Sequence, residues 1–257
     1  MHPHVHLRSM LCILASSLLV VGAHAGSSAE IYPSGRQIPE NLRFFEVRLP
    51  KALHRPVDLS HVTLQDSDGR PIQSAFVDAP LTAEDGRHFT LFLHSDDGTA
   101  SASPAGTSGR TLRAGKSVTL VINDPGVGRP LRKTWRVAAS DESRPSPENW
   151  TFKVPRAGTR QALLVRLKSP ISAASQSQIA VMGAENQRLS GRVVLSDGET
   201  TWCFIPSRTW MAGPYSIVAL PDLMSVAGNR NCAIARAGKS EANCEAKQSR
   251  AFEIKPR

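Results

Sequence analysis

Three cysteines follow the N-terminal region, and this odd number of thiols is the first chemical feature to explain. Cys232 and Cys244 flank a short insert near the C terminus, so in an oxidising compartment they are the natural disulfide pair. Such a bridge contributes about 3 kcal/mol in the chain-entropy model; the alternative is that both thiols stay reduced. Cys203 lies between Trp202 and Phe204, and because residues 150–257 contain no histidine, it is predicted to be a structural thiol rather than a nucleophile.

Histidines and paired aspartates form no pattern typical of a metal or catalytic site. The histidines after the N-terminal region are His54, His61, His88 and His94. His88 and His94 are separated by about 20 Å along a strand, so one ion cannot bind both. The pairs Asp66–Asp68 and Asp96–Asp97 are typical of turns and supply too few oxygens for a calcium cage. Since nucleophile elbows, phosphate-binding loops and zinc spacings are also absent, no enzyme activity, metal or cofactor is predicted.

The Cys-flanked insert at residues 230–250 is the candidate binding loop. Its basic residues are Arg230, Arg236, Lys239 and Lys247. Loops at the end of a β-sandwich often carry recognition. The expected partner is an unknown protein or an anionic polymer of the cell envelope.

Residues 1–25 have the three parts of a secretory signal peptide. Arg8 precedes an apolar run from Met10 to Gly22 that is too short to span a bilayer, and Ala23-His24-Ala25 suits a signal peptidase. Cleavage after Ala25 predicts a periplasmic or extracellular protein. Cys12 lies too early in the apolar run to carry a lipid, and no later segment is a transmembrane candidate.

The net charge of the chain is +9, and it becomes +8 when the leader and its Arg8 are removed. An exported protein of this charge can associate with anionic polymers. Nucleic acid is not a predicted partner, because the basic residues are scattered and only 5% of the residues are aromatic.

Apolar and polar side chains alternate with the period of two that is typical of β-strands. The apolar members in the first half are Phe45, Val47, Leu49, Phe89, Leu91, Leu93, Val118, Leu120 and Ile122. The second half repeats the order with Leu163, Val165, Leu167, Ile179, Val181, Val193, Leu195, Trp202, Phe204, Tyr215, Ile217, Phe252 and Ile254. Gly69 is predicted to form a turn, and Gly191 is predicted to form the equivalent turn in the second copy.

A duplicated order of short strands predicts an all-β chain: two tandem immunoglobulin-like (Ig-like) antiparallel β-sandwiches after the signal peptide. The alternative is a barrel. The predicted domains are residues 26–138 and 150–257, joined by a Pro- and Ser-rich linker at residues 139–149.

The segment from Trp210 to Asn229 resembles the end of an Ig-like module of bacterial S-layer proteins, of the SbsA-like type. The residues that carry the resemblance are Ala212, Gly213, Tyr215, Ile217, Pro221, Asp222, Ala227, Gly228 and Asn229. The pair of domains also resembles exported two-domain Ig-like proteins that have a segment like Pro155–Arg160 before the second module. The resemblance implies an Ig-like fold and an envelope location, and it brings no known chemistry.

The predicted function is therefore a non-catalytic interaction or spacer module in the cell envelope or periplasm. One alternative is a chaperone that lends a strand to its partner, but the Ser-, Ala- and Gly-rich residues 95–109 make a poor donor strand. Another is a copper-binding Ig-like protein, which requires cleavage after Ala23 so that His24 becomes the first residue.

Overall fold

In a computed structural model the described residues are 28–77, 79–94, 111–231 and 248–256. They divide into two compact units, each built from β-strands and short connections. The first unit, called the first sandwich, contains the described residues up to Glu142 and Val226–Gly228. The second sandwich contains Ser143–Ser225 and the described residues from Asn229 onward.

The described residues of the first sandwich form eight strands. They are β1 (Glu30–Tyr32), β2 (Gln37–Pro39), β3 (Phe44–Arg48), β4 (Val62–Gln65), β5 (Leu81–Thr82), β6 (His88–Phe92), β7 (Ser117–Ile122) and β8 (Leu131–Ala138). One sheet has the order β1-β3-β6-β5 and the other the order β2-β8-β7-β4. Short 3-10 helices lie at Leu59–His61 and Pro125–Val127.

In the second sandwich, seven strands lie within the described ranges. They are β9 (Thr151–Lys153), β10 (Leu163–Arg166), β11 (Ile179–Met182), β12 (Gly191–Ser196), β13 (Thr201–Pro206), β14 (Gly213–Ala219) and β15 (Ser249–Ile254). Their sheets have the orders β12-β13-β10-β9 and β11-β14-β15. The 3-10 helices are Pro147–Asn149, inside the predicted linker, and Ala174–Gln178.

Both sandwiches have the strand order of an immunoglobulin domain. In immunoglobulin letters, one sheet of each reads A-B-E-D and the other contains C-F-G. The predicted fold class, two tandem Ig-like β-sandwiches, is confirmed. The pairing is antiparallel except between β2 and β8, which run parallel because the first strand of the first sandwich crosses from one sheet to the other.

Two side chains of β8 donate hydrogen bonds to the backbone of the segment that crosses between the sheets. The indole Nε1 of Trp135 donates a hydrogen bond to the carbonyl of Pro33 at 2.9 Å. The Lys133 ammonium donates to the carbonyls of Ile31 (2.9 Å) and Pro33 (2.8 Å). Lys133 therefore has a structural role, although it belongs to a basic strand.

The two cores follow from the alternation of apolar residues. Phe45, Val47, Phe89 and Leu91 are all 1% exposed or less, and the Phe45 ring stacks on Trp135 with the ring centroids 4.9 Å apart. The second core is richer in aromatic residues: Trp150, Trp202, Phe204 and Trp210 are each buried, and the Trp202 and Phe204 rings stack at 5.8 Å. Strands β3 and β6 thus bury one face each, as predicted, whereas the central strands β7 and β13 are buried on both faces.

Tyr215 fixes the corner before β14. Its hydroxyl donates to the carbonyl of Met211 at 3.1 Å and accepts from the Met211 N–H at 3.2 Å. A tyrosine at the start of strand F bonded to the preceding loop is the tyrosine corner of immunoglobulin folds. The spacing of Tyr215 predicts a strand residue, whereas its corner role depends on the loop that precedes β14.

Gly191 does not form the predicted turn. It begins β12, and a Cβ atom there would lie 2.5 Å from the Phe204 ring and 2.5 Å from the Ile205 carbonyl oxygen. Glycine is required because the neighbouring strand packs against its backbone. Gly69 does lie in a turn, with φ of +80°.

Candidate binding surfaces

Only the start of the predicted binding loop belongs to the described residues. Arg230 donates to the Asp222 carboxylate at 2.8 Å, and 46% of its side chain is exposed. Arg236, Lys239, Lys247 and both cysteines of the predicted disulfide, Cys232 and Cys244, lie outside the described residues. The loop and the bridge therefore stay predictions. The leader, with His24, lies outside as well.

His88 takes part in an exposed hydrogen-bonded chain with Arg48 and Asp85. The Arg48 Nε–H donates to His88 Nε2 at 2.8 Å, so the His88 proton is on Nδ1, which lies 2.7 Å from the Asp85 carboxylate. The pKa of Asp85 is lowered, mainly by a hydrogen bond from the Arg87 N–H and further by His88. This chain of hydrogen bonds contains no nucleophile. It joins the end of β3 to the start of β6.

The other histidines are not part of a metal-binding cluster within the described residues. His94 Nδ1 lies 2.7 Å from the Ser74 carbonyl oxygen, while His54 and His61 are exposed. Within the described ranges, no group of three or more His, Cys, Asp or Glu residues is placed to hold a metal ion.

The Asp66–Asp68 segment is a turn, as predicted. One oxygen of Asp66 accepts from the N–H groups of Asp68 and Arg70, both at 2.9 Å. This local bonding uses the carboxylate to close the turn after β4. Asp96–Asp97 lies outside the described residues.

Asp124 is a buried carboxylate that the sequence reading missed. It accepts from the N–H of Asp58 at 2.9 Å and from that of Gly126 at 2.7 Å, and the Arg55 guanidinium lies 3.4 Å away. Burial raises the pKa of Asp124, but the two N–H donors and the Arg55 charge outweigh it, so the pKa is lowered overall. The carboxylate ties the loop before β4 to the loop after β7.

Cys203 is fully buried at the centre of β13. Its neighbours Trp202 and Phe204 belong to the core, so alternation directs Cys203 to the opposite side of its sheet. This placement agrees with a structural thiol.

A half-open cavity of about 330 Å³ lies in the second sandwich between β11 and β12. Its wall is mixed, with apolar side chains from Ile179, Val181, Leu189 and Phe204 and polar groups that include Ser190 and the charged Arg188. The Arg188 guanidinium donates to the Ser177 carbonyl at 2.9 Å.

The outer side of the β2-β8-β7-β4 sheet carries two exposed arginines and is called the basic face. Core residues alternate with outward-directed ones, which include Thr63, Gln65, Thr119, Val121, Arg132, Thr134 and Arg136; Thr119 and Val121 are buried. These four strands contain no Asp or Glu. The hydroxyls of Thr119 and Thr134 are bonded across the strands at 2.8 Å.

The chain is an Ig-like tandem β-sandwich protein by the strand order described above. No protein-family model matches it, and neither does any curated protein. Among solved structures it is similar to the BSP domain of a biofilm-associated protein, with 11% identity over 90% of this chain and 29% of that one and a TM-score of 0.27. This chain thus spans less than a third of that protein's length.

Two other solved structures match with similar scores. Domains 5–6 of the S-layer protein SbsC are 8% identical over 90% of this chain and 97% of that one, with a TM-score of 0.27. A chimeric titin Z1Z2 is 9% identical over 91% and 98%, with a TM-score of 0.28. At these TM-scores the similarities support no inference about function.

The described residues contain no helix that is both long and apolar enough to cross a membrane.

Proposed function

We propose that this chain is an exported, non-catalytic protein whose paired Ig-like sandwiches act as an interaction or spacer module in the cell envelope or periplasm. The observation that carries the proposal is the duplicated immunoglobulin strand order within one chain. Folds of this kind present sheet faces and end loops on a rigid core, which suits binding and spacing.

The polar groups inside each sandwich support a structural role. Asp124 bonds backbone N–H groups, and the indoles of Trp202 and Trp210 donate to the carbonyls of Gln176 (3.0 Å) and Gln161 (2.7 Å). Each of these groups holds a loop in place.

A screen of the purified mature chain against hydrolase and redox substrates tests the non-catalytic part of the proposal. Turnover that copurifies with the protein and disappears on changing one polar residue would refute it. The His88→Gln variant is a useful probe because it breaks the Arg48–His88–Asp85 chain of bonds without touching either core.

Export rests on the leader at residues 1–25. Expression of the full chain in a Gram-negative host, followed by fractionation and intact-mass measurement, should give a periplasmic or secreted product that begins at residue 26. A cytoplasmic product with its leader intact contradicts export, and a product that begins at His24 favours the copper-binding alternative.

The resemblance to S-layer modules supports an envelope location. Two of the residues that carry this resemblance have a structural role: Tyr215 forms the tyrosine corner, and Gly228 has a φ of +81°, in the left-handed region that favours glycine. Fractionation of the source cells should place the protein with the envelope or periplasm, and recovery from the cytoplasm contradicts this location.

We also propose that Cys232 and Cys244 form a disulfide and that the insert at residues 230–250 is a binding loop. Peptide mapping of the exported protein without reduction should show the peptides of Cys232 and Cys244 linked.

The binding-loop proposal is tested by replacing residues 231–247 with a short turn. Both sandwiches should stay folded, and the variant should no longer capture the envelope partner that the wild-type protein captures. Reduced cysteines in the exported protein contradict the bridge, and unchanged capture contradicts the loop.

A further inference from the structure

We propose that the basic face of the first sandwich binds an acidic polysaccharide. This inference rests on the proposed interaction function and deepens it, because it names a surface other than the 230–250 insert and the chemistry of its partner.

Arg132 and Arg136 give the face its charge. Both lie on β8, point to the same side because they are four residues apart, and are exposed. Their spacing along the strand is about 13 Å. Within the described ranges, no ion pair and no side-chain hydrogen bond uses either guanidinium, whereas Lys133 between them holds the β1–β2 crossing.

Further cations border the end of the face where Arg136 lies. Arg36 directly precedes β2 and Lys116 directly precedes β7, and both are exposed. Their backbones meet β8 at this end, where the Arg136 N–H donates to the Arg36 carbonyl and the Val137 N–H to the Lys116 carbonyl. Gln37 and Ser117 are the residues that pair with Arg136, so Arg36 and Lys116 alternate to the other side of the sheet, and the charge of the face comes from Arg132 and Arg136.

Acidic groups do not neutralise this charge within the sheet. The four strands contain no Asp or Glu. Glu40 follows β2, and its carboxylate accepts from the Ala114 N–H at 3.3 Å and from the Ser140 hydroxyl at 3.0 Å. A partner that supplies carboxylates satisfies guanidinium groups with paired, charge-assisted hydrogen bonds.

The rest of the face suits a sugar chain better than other anions. Thr63, Gln65 and Thr134 supply hydroxyl and amide groups that both donate and accept, as sugar hydroxyls do. The one aromatic residue of these four β-strands, Trp135, is 1% exposed and packs in the core. The bases of single-stranded nucleic acid therefore find no aromatic side chain to stack on. A flat sheet face does not enter a groove of duplex DNA. The basic face also offers little apolar area for the core of a protein–protein interface.

Binding of the mature chain to immobilised polygalacturonate tests the proposal. The wild-type protein should bind at low ionic strength and more weakly near 0.15 M salt, because exposed charges are screened there. R132Q/R136Q should bind about tenfold more weakly, since each exposed ion pair contributes modestly. R132K/R136K keeps the charge and should retain part of the binding, which ties the loss in R132Q/R136Q to the charge at these two positions.

The matched control is K51Q/R87Q, which removes the same charge from exposed positions outside the basic face. It should bind like the wild type. Equal weakening by both glutamine pairs, or no binding to polygalacturonate, overturns the proposal, as does tighter binding to duplex DNA than to polygalacturonate.

The insert variant from the preceding subsection separates the two ideas. Retained polygalacturonate binding after replacement of the insert supports the basic face even if capture of the insert's partner fails. Loss of polygalacturonate binding in that variant places the contact on the insert and contradicts the basic face.

Discussion

Substitution of Asp124 by alanine should destabilise the first sandwich by about 3 kcal/mol, since each of two bonds to a buried carboxylate contributes about 1.5 kcal/mol. The Asp124 side chain is 1% exposed, and its bonds from the Asp58 and Gly126 N–H groups are 2.9 and 2.7 Å long. Alanine leaves both donors without this acceptor. The Arg55 guanidinium adds little because it is 3.4 Å away and 54% exposed.

Urea unfolding read by hydrogen-exchange mass spectrometry is the suitable assay, because peptides from each sandwich report separately. Peptides that contain β4 and β7 should lose protection at lower urea in the Asp124→Ala protein, while peptides of the second sandwich should not change. Asp85→Ala is the matched control: it removes an exposed carboxylate that also caps a turn, and its effect should be much smaller. A loss of less than about 1 kcal/mol in Asp124→Ala would refute the reasoning about two carboxylate bonds.

The destabilisation caused by Asp124→Ala should depend on pH. The pKa of Asp124 is lower in the folded protein than in the unfolded chain, where it is about 4. Its stabilising contribution is therefore complete above pH 4 and is lost as the pH falls through the folded value. The stability difference between wild type and Asp124→Ala should shrink below pH 4, and a difference that grows on acidification contradicts this sign.

Two further substitutions test the second sandwich. Tyr215→Phe removes both corner bonds to Met211 and should cost about 1 kcal/mol in urea unfolding; an unchanged midpoint contradicts a structural corner. Gly191→Ala places a Cβ atom against the Phe204 ring and should cost about 1–3 kcal/mol. Gly183→Ala, where only the flexible side chain of Gln187 must move, should be tolerated, and equal losses in both glycine variants contradict the close packing at Gly191.

Local sequence patterns predicted strands such as β3 and β6 because each of them buries one face. Phe45 and Val47 lie on either side of Glu46 and are in the core at 0% and 1% exposure. The repeated order was visible because each half has the same succession of such alternations. The strand part of each core was therefore predictable from period-two patterns, whereas Leu112, Trp150 and Trp210 lie in the cores without belonging to such a pattern.

Features that depend on distant backbone were not predictable. Asp124 has the sequence context of a simple turn residue, and its burial depends on the Asp58 N–H, 66 residues earlier in the chain. Strand β2 has only three residues, so its parallel pairing with β8 leaves no periodic signal. The basic face was missed for a similar reason: Arg132 and Arg136 look scattered in sequence, and the sheet order brings the ends of β2 and β7 beside them.

The duplicated immunoglobulin strand order is the central claim, and interstrand nuclear Overhauser effects in the mature chain test it most directly. The account predicts contacts between Val47 and Phe89 in the first sandwich and equivalent contacts between Val165 and Trp202 in the second. It also predicts the pairs Leu64 with Leu120 and Val181 with Ile217 in the opposite sheets. Helical connectivities in these segments, or a different strand order in either half, would contradict it.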